Sequence, residues 1–448
     1  MDSIDTRIGE WRAAVTRGPA IEIDDVDELE GHLREQVADL LAAGLDDDEA
    51  FLIAVKRLGS VNAVTAEFAR EHSERLWKHL VLADTTTIGD RRRGVLPVVL
   101  FALVAAVAIQ AARILAETSA TGTSMWFVRD LSLFVLPVLV GYLAWNRRMP
   151  LPRILGLGAV IAALAVVVSV FPFEDSAATG ILVALHLPVV LWFVVGLAYV
   201  GDEWRSSARR MDFVRFSGEW AIYFVLIVLG GGVLFGLTSL LLAPLAPDAA
   251  DQLATWMLPS GGAAAVIVAA WLVEAKKSVI ENIAPVLTAI FTPLFAVMLV
   301  VASAGYLAVG LGREFDRDLM IVFDVLLLVV LALVLYGLSA RVESRVARTM
   351  DVIRLVAVSA ALLLDVLVLG SMLARVGDLG FTPNRIVALG LNILLVVNLV
   401  GAAVLSVRAL AGQVPAERLE RWQTRYLPVF AAWTLLVVVA VPVIFGFA

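Results

Sequence analysis

The 448-residue chain contains no cysteine. Disulfides, thiolate metal sites and thiol redox chemistry are therefore excluded. Histidine is nearly as scarce: there are four, none in a His-Glu-x-x-His pair, and no Gly-x-x-x-x-Gly-Lys phosphate loop occurs. The usual zinc-hydrolase and P-loop nucleotide chemistries are thus missing, and no cofactor or metal is expected. Charge is thin as well, with 17% of residues charged where soluble domains carry about 25%. The first 30 residues hold no apolar segment of the signal-peptide kind, so the first membrane span is expected to act as the targeting signal.

Hydrocarbon takes the place of what is lacking. Apolar residues make up 60% of the chain, and the mean hydropathy is +0.89. Runs of about 20 apolar residues read as membrane-spanning helices. Eleven are expected, at 95–116, 125–145, 154–173, 181–200, 218–241, 257–273, 284–310, 319–340, 352–374, 386–407 and 427–447. The expected fold is an all-α polytopic bundle in a lipid bilayer, residues 95–448, preceded by a small cytosolic helical domain at 1–82 and a basic linker at 83–94.

The charges that remain are unevenly placed. Residues 1–80 hold 9 Lys/Arg and 18 Asp/Glu, whereas the rest of the chain holds 26 and 24. An acidic head is a poor match for nucleic acid, so none is expected as a partner. With the head in the cytosol, the inner loops collect nineteen basic residues, including Arg91, Arg92, Arg93, Arg147, Arg148, Arg209, Arg210, Arg348 and Arg425. The outer loops and span ends collect five: Arg129, Arg313, Arg317, Arg375 and Arg385. This is the positive-inside pattern, and with eleven spans it puts the C-terminus outside. The outer loops are short, which excludes an extracytoplasmic domain.

Within the head, Val26, Leu29, Leu33, Val37, Leu40 and Leu41 follow helical spacing, with Asp24 or Asp25 as N-cap and Gly44 beyond the end. A second helix is expected to be capped by Asp47 or Asp48 and to bury Phe51, Ala54, Val55 and Leu58. A third is expected from Ser60 towards Leu82, and a first around Ile4–Val15, anchored by Trp11. His72 and His79 fall on one face of the third, read as a solvated face. A core of this size is marginal alone, so docking on the membrane part or on a cytosolic partner protein is expected.

The segments Val26-Asp-Glu-Leu-Glu-Gly-His-Leu-Arg-Glu-Gln36, Ala42-Ala-Gly-Leu-Asp-Asp-Asp-Glu-Ala-Phe51 and Ala54-Val-Lys-Arg-Leu-Gly59 resemble the permease prefix domain. That module is related to helical sensor-associated domains encoded beside PadR-class regulators. The resemblance implies a regulatory or docking role towards such a factor, and no catalytic residues. The turn Gly380-Phe-Thr-Pro-Asn-Arg385, with Pro285 to Gly310 around Thr292-Pro-Leu-Phe295, is similar to a large bacterial family known as domain of unknown function 4153. It implies a bacterial inner-membrane setting and brings no activity.

Polar groups inside the spans are the candidate functional residues, because a charged Asp or Arg at a helix centre costs about 2.5–3.5 kcal/mol on insertion scales. Counting 1.5 Å per residue from each span's midpoint, Asp365 falls about 3 Å to the outer side and Asn398 about 2 Å to the inner side. Asn392 and His186 fall about 7 Å, Asp324 about 8 Å and Arg113 about 11 Å towards the outside. The clustering suggests a polar vestibule open outwards and tapering to Asp365, with Arg113 and Asp324 as a candidate pair and Arg385 at the mouth. The alternative is ordinary interhelical contact. Asn392 and Asn398 are about 240° apart round a helix and cannot both face Asp365.

Gly230, Gly231, Gly232 and Gly236 mark either an unwound helix in the fifth span or close small-residue packing. Pro293 should kink the seventh span, Thr382 or Asn384 should cap the tenth, and Glu219 and Arg354 should reach for the inner interface. The sequence Ala208-Arg-Arg-Met-Asp-Phe-Val-Arg-Phe216 is echoed by Ala347-Arg-Thr-Met-Asp-Val-Ile-Arg-Leu355, which is either a trace of duplicated halves or a chance likeness of basic segments. The functions that fit are a permease or channel with Asp365 at its heart, or a membrane-anchored regulator. No arrangement of an enzyme is discernible. A homo-oligomer is compatible with either reading.

Overall fold

The computed structural model describes residues 8–9, 11–12, 23–42, 46–58, 95–118, 125–174, 177–242, 247–275, 283–309, 317–339 and 345–448. The expected helix from Ser60, the basic linker, Arg313, Lys276, Lys277 and two of the head's histidines, His72 and His79, lie outside them. The chain divides into two compact units, 1–91 and 92–448.

In the first unit, α1 is Ile23–Ala42 and α2 is Asp47–Leu58. Their apolar faces close over Leu33, Val37, Leu40, Ala50 and Ala54, joined by Ile8 and Trp11. The cap of α2 is one residue earlier than expected: Asp46 Oδ1 accepts from Glu49 N at 2.7 Å, the usual reach of an N-cap to the third helical residue. Glu30 binds Arg12 and also accepts from Arg34 Nε at 2.9 Å. The Arg12 guanidinium, followed by that of Arg34, holds the Glu30 carboxyl below its ordinary value.

The second unit is all helix among the described residues. Its elements are α3 (Val95–Thr118), α4 (Met125–Asn146), α5 (Leu151–Val170), α6 (Ala178–Val200), α7 (Ser207–Leu242) and α8 (Pro247–Ala275). They continue as α9 (Ile283–Val309), α10 (Arg317–Ser339), α11 (Arg345–Leu379), α12 (Pro383–Leu410) and α13 (Glu417–Ile444). All eleven are long and apolar enough to cross a membrane. Four of them overrun the expected spans. α7 begins about eleven residues early, α11 about seven, and α8 and α13 about ten. Hydropathy marks where the helix meets lipid, but the backbone ladder continues through polar residues until something breaks it.

Two cores organise these helices. One lies among α3, α4, α6, α7 and α8, around Ile109, Leu139, Leu187, Leu191, Phe216 and Ile267. The other lies among α9 to α12, around Leu299, Val330, Leu364, Val368, Leu395 and Leu399. α13 packs against α6 of the first group and α12 of the second. At the α12 contact, two glycines receive tryptophans: a Cβ at Gly390 would lie 2.0 Å from the Trp433 ring, and one at Gly401 would lie 2.3 Å from Trp422.

Prolines inside the spans free carbonyls that bilayer lipid cannot satisfy. Pro259 has no N–H to offer Thr255 O, and Gln110 of α3 donates to Thr255 O (3.3 Å), to Trp256 O (2.8 Å) and to Ser260 Oγ (2.8 Å). Pro428 likewise has none to offer Thr424 O in α13, and Arg210 Nη1 of α7 reaches Thr424 O at 3.1 Å. Pro293 lies inside α9, which runs unbroken through it.

The glycine cluster is a correction. α7 is continuous through Gly230, Gly231, Gly232 and Gly236, so no unwinding occurs. A Cβ at any of the four would meet nothing within 4 Å, so no close packing occurs there among the described residues either. This half of α7 is exposed on almost all sides, and in that setting glycine has neither a ligand nor a neighbour to accommodate.

Candidate functional site in the membrane

Three of the six intramembrane polar residues named above converge. α10, α11 and α12 pack on one another and bring Asp324, Asp365 and Asn392 together. Asn392 Nδ2 donates to Asp324 Oδ1 at 3.1 Å. Asp365 lies against the same Asn392 side chain and within reach of the Asp324 charge. Asn392 is fully buried and Asp365 is 1% exposed, whereas Asp324 is half-buried. Among the described residues neither Asp365 oxygen meets a hydrogen-bond donor in good geometry, and Asn392 Oδ1 has no donor either. A buried polar group without partners costs about 1–3 kcal/mol, so this trio does not stabilise the fold. The expected vestibule does not open as far as Asp365 here: the residue is 1% exposed, and its helix neighbours Ala361, Leu364 and Val368 are buried as well.

The other expected members go elsewhere. Arg113 does not pair with Asp324. It is taken up by its own helix, with Nε donating to Gln110 Oε1 at 2.7 Å and Nη1 bound to Glu117, and its guanidinium lies 5.0 Å from the Trp256 ring centre. A partner one turn away on the same helix was available without bringing two helices together. His186 is bonded back to Leu182 O at 2.8 Å through Nδ1, which must carry the proton because a carbonyl only accepts. Asn398 is fully buried with both amide atoms unpartnered, and its backbone carbonyl accepts from Trp422 Nε1 of α13 at 3.0 Å. As expected from the helical angle, it does not join the trio. Arg385 Nη1 closes its own turn onto Gly380 O at 2.9 Å, with Gly380 at φ +75°, and Thr382 caps α12.

A second polar group lies at the end of the bundle where α7 and α11 begin. The echoed segments form matching pairs three residues apart: Asp212 with Arg215 at 3.9 Å, and Asp351 with Arg354 at 3.0 Å. Both arginines reach the last turn of α10. Arg215 donates twice to Ser339 O, at 3.1 and 2.6 Å, and Arg354 lies over Gly337, where a Cβ would be 2.6 Å from Nη2. Cations at a helix C-terminus oppose its dipole favourably. Glu219 and Arg354 do not reach out to the interface as expected; they are 6% and 8% exposed. The helix that carries Asp324 is thus held at its far end by the two echoed motifs.

Sequence reasoning missed Gln110, Gln423 and Ser303. Ser303 Oγ bridges Leu299 O (2.7 Å) and Ala360 O (3.2 Å), tying α9 to α11. Gln423, 1% exposed with neither amide atom bonded, sits in the polar first turns of α13, outside the expected span. For Gln110 a signal did exist: it lies three residues before Arg113 on one helix face.

Comparison with family models, with curated proteins and with solved structures finds no match to this chain.

Proposed function

We propose that this multi-pass membrane protein is a permease and not an enzyme, with Asp365 as the carboxylate that couples movement of a proton or small cation to that of a solute. The supporting observation is the acid–amide–acid trio. One acid is partly accessible, the other is sealed, and the amide between them donates to only one. A buried acid with no donor is costly to keep, which suits a group that must release and accept a cation. The closed carboxyl then belongs to a closed state of the cycle, with Asp324 on the accessible side.

The orientation adopted puts the head and the arginine-rich end of α7 in the cytosol, in a bacterial inner membrane. The absence of cysteine makes the test clean. A cysteine at Ala361, one turn from Asp365 and buried beside it, is expected to resist an impermeant thiol reagent at rest. It is expected to react when a proton gradient is imposed on proteoliposomes, and not to react when Asp365→Asn is added. Protection under every gradient and solute, alongside charge movement indifferent to Asp365, refutes the reading.

A regulatory role for the head accompanies it. Residues 1–91 form a compact unit of their own, acidic and with a small core, as suits docking to a cytosolic protein such as a PadR-class regulator. A partner retained equally by full-length protein and by a chain lacking residues 1–82 rules this out.

A further inference from the structure

An apolar cavity lies in the first group of helices, away from the Asp365 trio. It has a volume of about 780 Å³ and is lined by α3, α4, α6, α7 and α8, within the about 300–1,000 Å³ typical of small-molecule sites. Along α4 the lining runs from Val128 to Leu136, about 12 Å at the helical rise. Four lining residues, Val128, Leu131, Val189 and Leu258, are also exposed on the outside of the bundle, so the cavity opens sideways towards lipid. Its floor is formed by Trp192 and Trp220, ring centres 4.3 Å apart. Both indole N–H groups are already used, by Ser217 Oγ at 3.0 Å and Val266 O at 3.0 Å, leaving ring carbon to face the cavity.

Three polar side chains break the apolar wall: Ser217, whose hydroxyl accepts from Trp192 and donates to Phe213 O at 2.8 Å, and Ser132 and Arg129, which lie one turn apart on α4. Ser132 lines the cavity, is 6% exposed, and its hydroxyl has no hydrogen-bond partner. One turn away is Arg129, whose Nε and Nη2 hold Asp130 at 2.7 and 2.9 Å and whose guanidinium lies over the Phe173 ring. Asp130 already balances its charge, so the site has no need of an anion. What it offers is a hydroxyl donor, and the remaining Nη1 edge, at the head of an apolar slot. The chemistry that completes such a site is a hydrogen-bond-accepting carbonyl attached to a hydrocarbon chain.

We propose that the cavity binds one acyl chain of a membrane glycerolipid, entering between α4 and α8. Its ester carbonyl accepts from Ser132, and its tail ends against Trp192 and Trp220. Head-group charge does not decide occupancy.

Gly262 provides the test, because it lines the cavity and a Cβ there meets nothing within 4 Å. Gly262→Leu therefore projects a bulky side chain into the slot from a Cβ position with open space around it, and replaces a poor helix former by a good one. The full-length protein is reconstituted in phosphatidylcholine carrying bromine on its acyl chains, which quenches tryptophan on contact. The signal of the floor pair is taken as the difference between the parent chain and Trp192→Phe/Trp220→Phe. Quenching of that pair is expected in the parent and is expected to be lost in Gly262→Leu. Ser132→Ala is expected to weaken it, and replacing half the lipid by brominated phosphatidylglycerol to leave it unchanged. An unquenched pair in the parent overturns the proposal. So does quenching that survives in Gly262→Leu with unchanged melting, since bulk lipid would then be the quencher. Quenching confined to the anionic lipid overturns the assignment of a neutral carbonyl.

Discussion

Replacing Asp365 by asparagine exchanges one oxygen for an NH2 group at nearly constant volume. In most buried sites removal of a carboxylate breaks a bond network. Here both oxygens lack donors, and the neighbouring Asn392 Oδ1 is an acceptor without a donor. The new amide can donate to that oxygen, removing one unsatisfied acceptor, and an acid no longer occupies a position that is 1% exposed. An unsatisfied buried group costs about 1–3 kcal/mol, while hydrogen bonds between membrane helices measure about 0.6 kcal/mol on average and up to about 1.7. Asp365→Asn is therefore expected to stabilise the fold by about 1–2 kcal/mol while abolishing coupled transport. The assay is equilibrium unfolding of the full chain in mixed micelles, run as a double-mutant cycle with Asn392→Leu. The cycle should show that most of the gain requires Asn392. A loss of 1 kcal/mol or more on Asp365→Asn alone refutes the argument, because it would make Asp365 a structural group held by contacts the fold requires.

Other outcomes follow from the same geometry. Gly401→Ala should cost about 1–3 kcal/mol, because its Cβ would lie 2.3 Å from the Trp422 ring. Gly231→Ala should be neutral or gain up to about 1 kcal/mol, and thermal melting in detergent that reverses this order contradicts the packing. Single cysteines at Asp202 and Gln413 should label only from the cytosol and one at Phe381 only from outside; any pair on the wrong sides rejects the eleven-span orientation. In the head, the lowered Glu30 carboxyl contributes stability that is present above its ordinary value of 4.5 and lost as pH falls below it through the folded value. Hydrogen exchange of α1, corrected for intrinsic rates, should therefore accelerate in acid, and Arg12→Ala should flatten the response.

Hydropathy was enough to find every span, because lipid contact is a property of single residues summed over a window. It misjudged where α7, α8, α11 and α13 begin, since those polar first turns keep their backbone bonds without touching lipid. Depth along the membrane was also legible. Asn392 and Asp324, put at about 7 and 8 Å by counting residues, are bonded to each other. Lateral neighbourhood was not legible, and so Arg113 was matched with an acid of similar depth while Glu117, one turn along its own helix, went unconsidered. The 240° separation of Asn392 and Asn398 needed only helix geometry, and it held. The glycine cluster misled because glycine's two usual reasons, a break and a close approach, both require a neighbour, and these glycines have none among the described residues.

The prolines have a consequence for the order of assembly. Each of the two interrupted segments, at Pro259 and at Pro428, depends on a side chain borrowed from elsewhere: Gln110 for the carbonyl of Thr255, Arg210 for that of Thr424. In both cases the lender precedes the borrower in the chain, and synthesis runs in that direction. When the ribosome delivers each flawed helix, the group that mends it is already in place, so neither freed carbonyl has to wait for a donor not yet made.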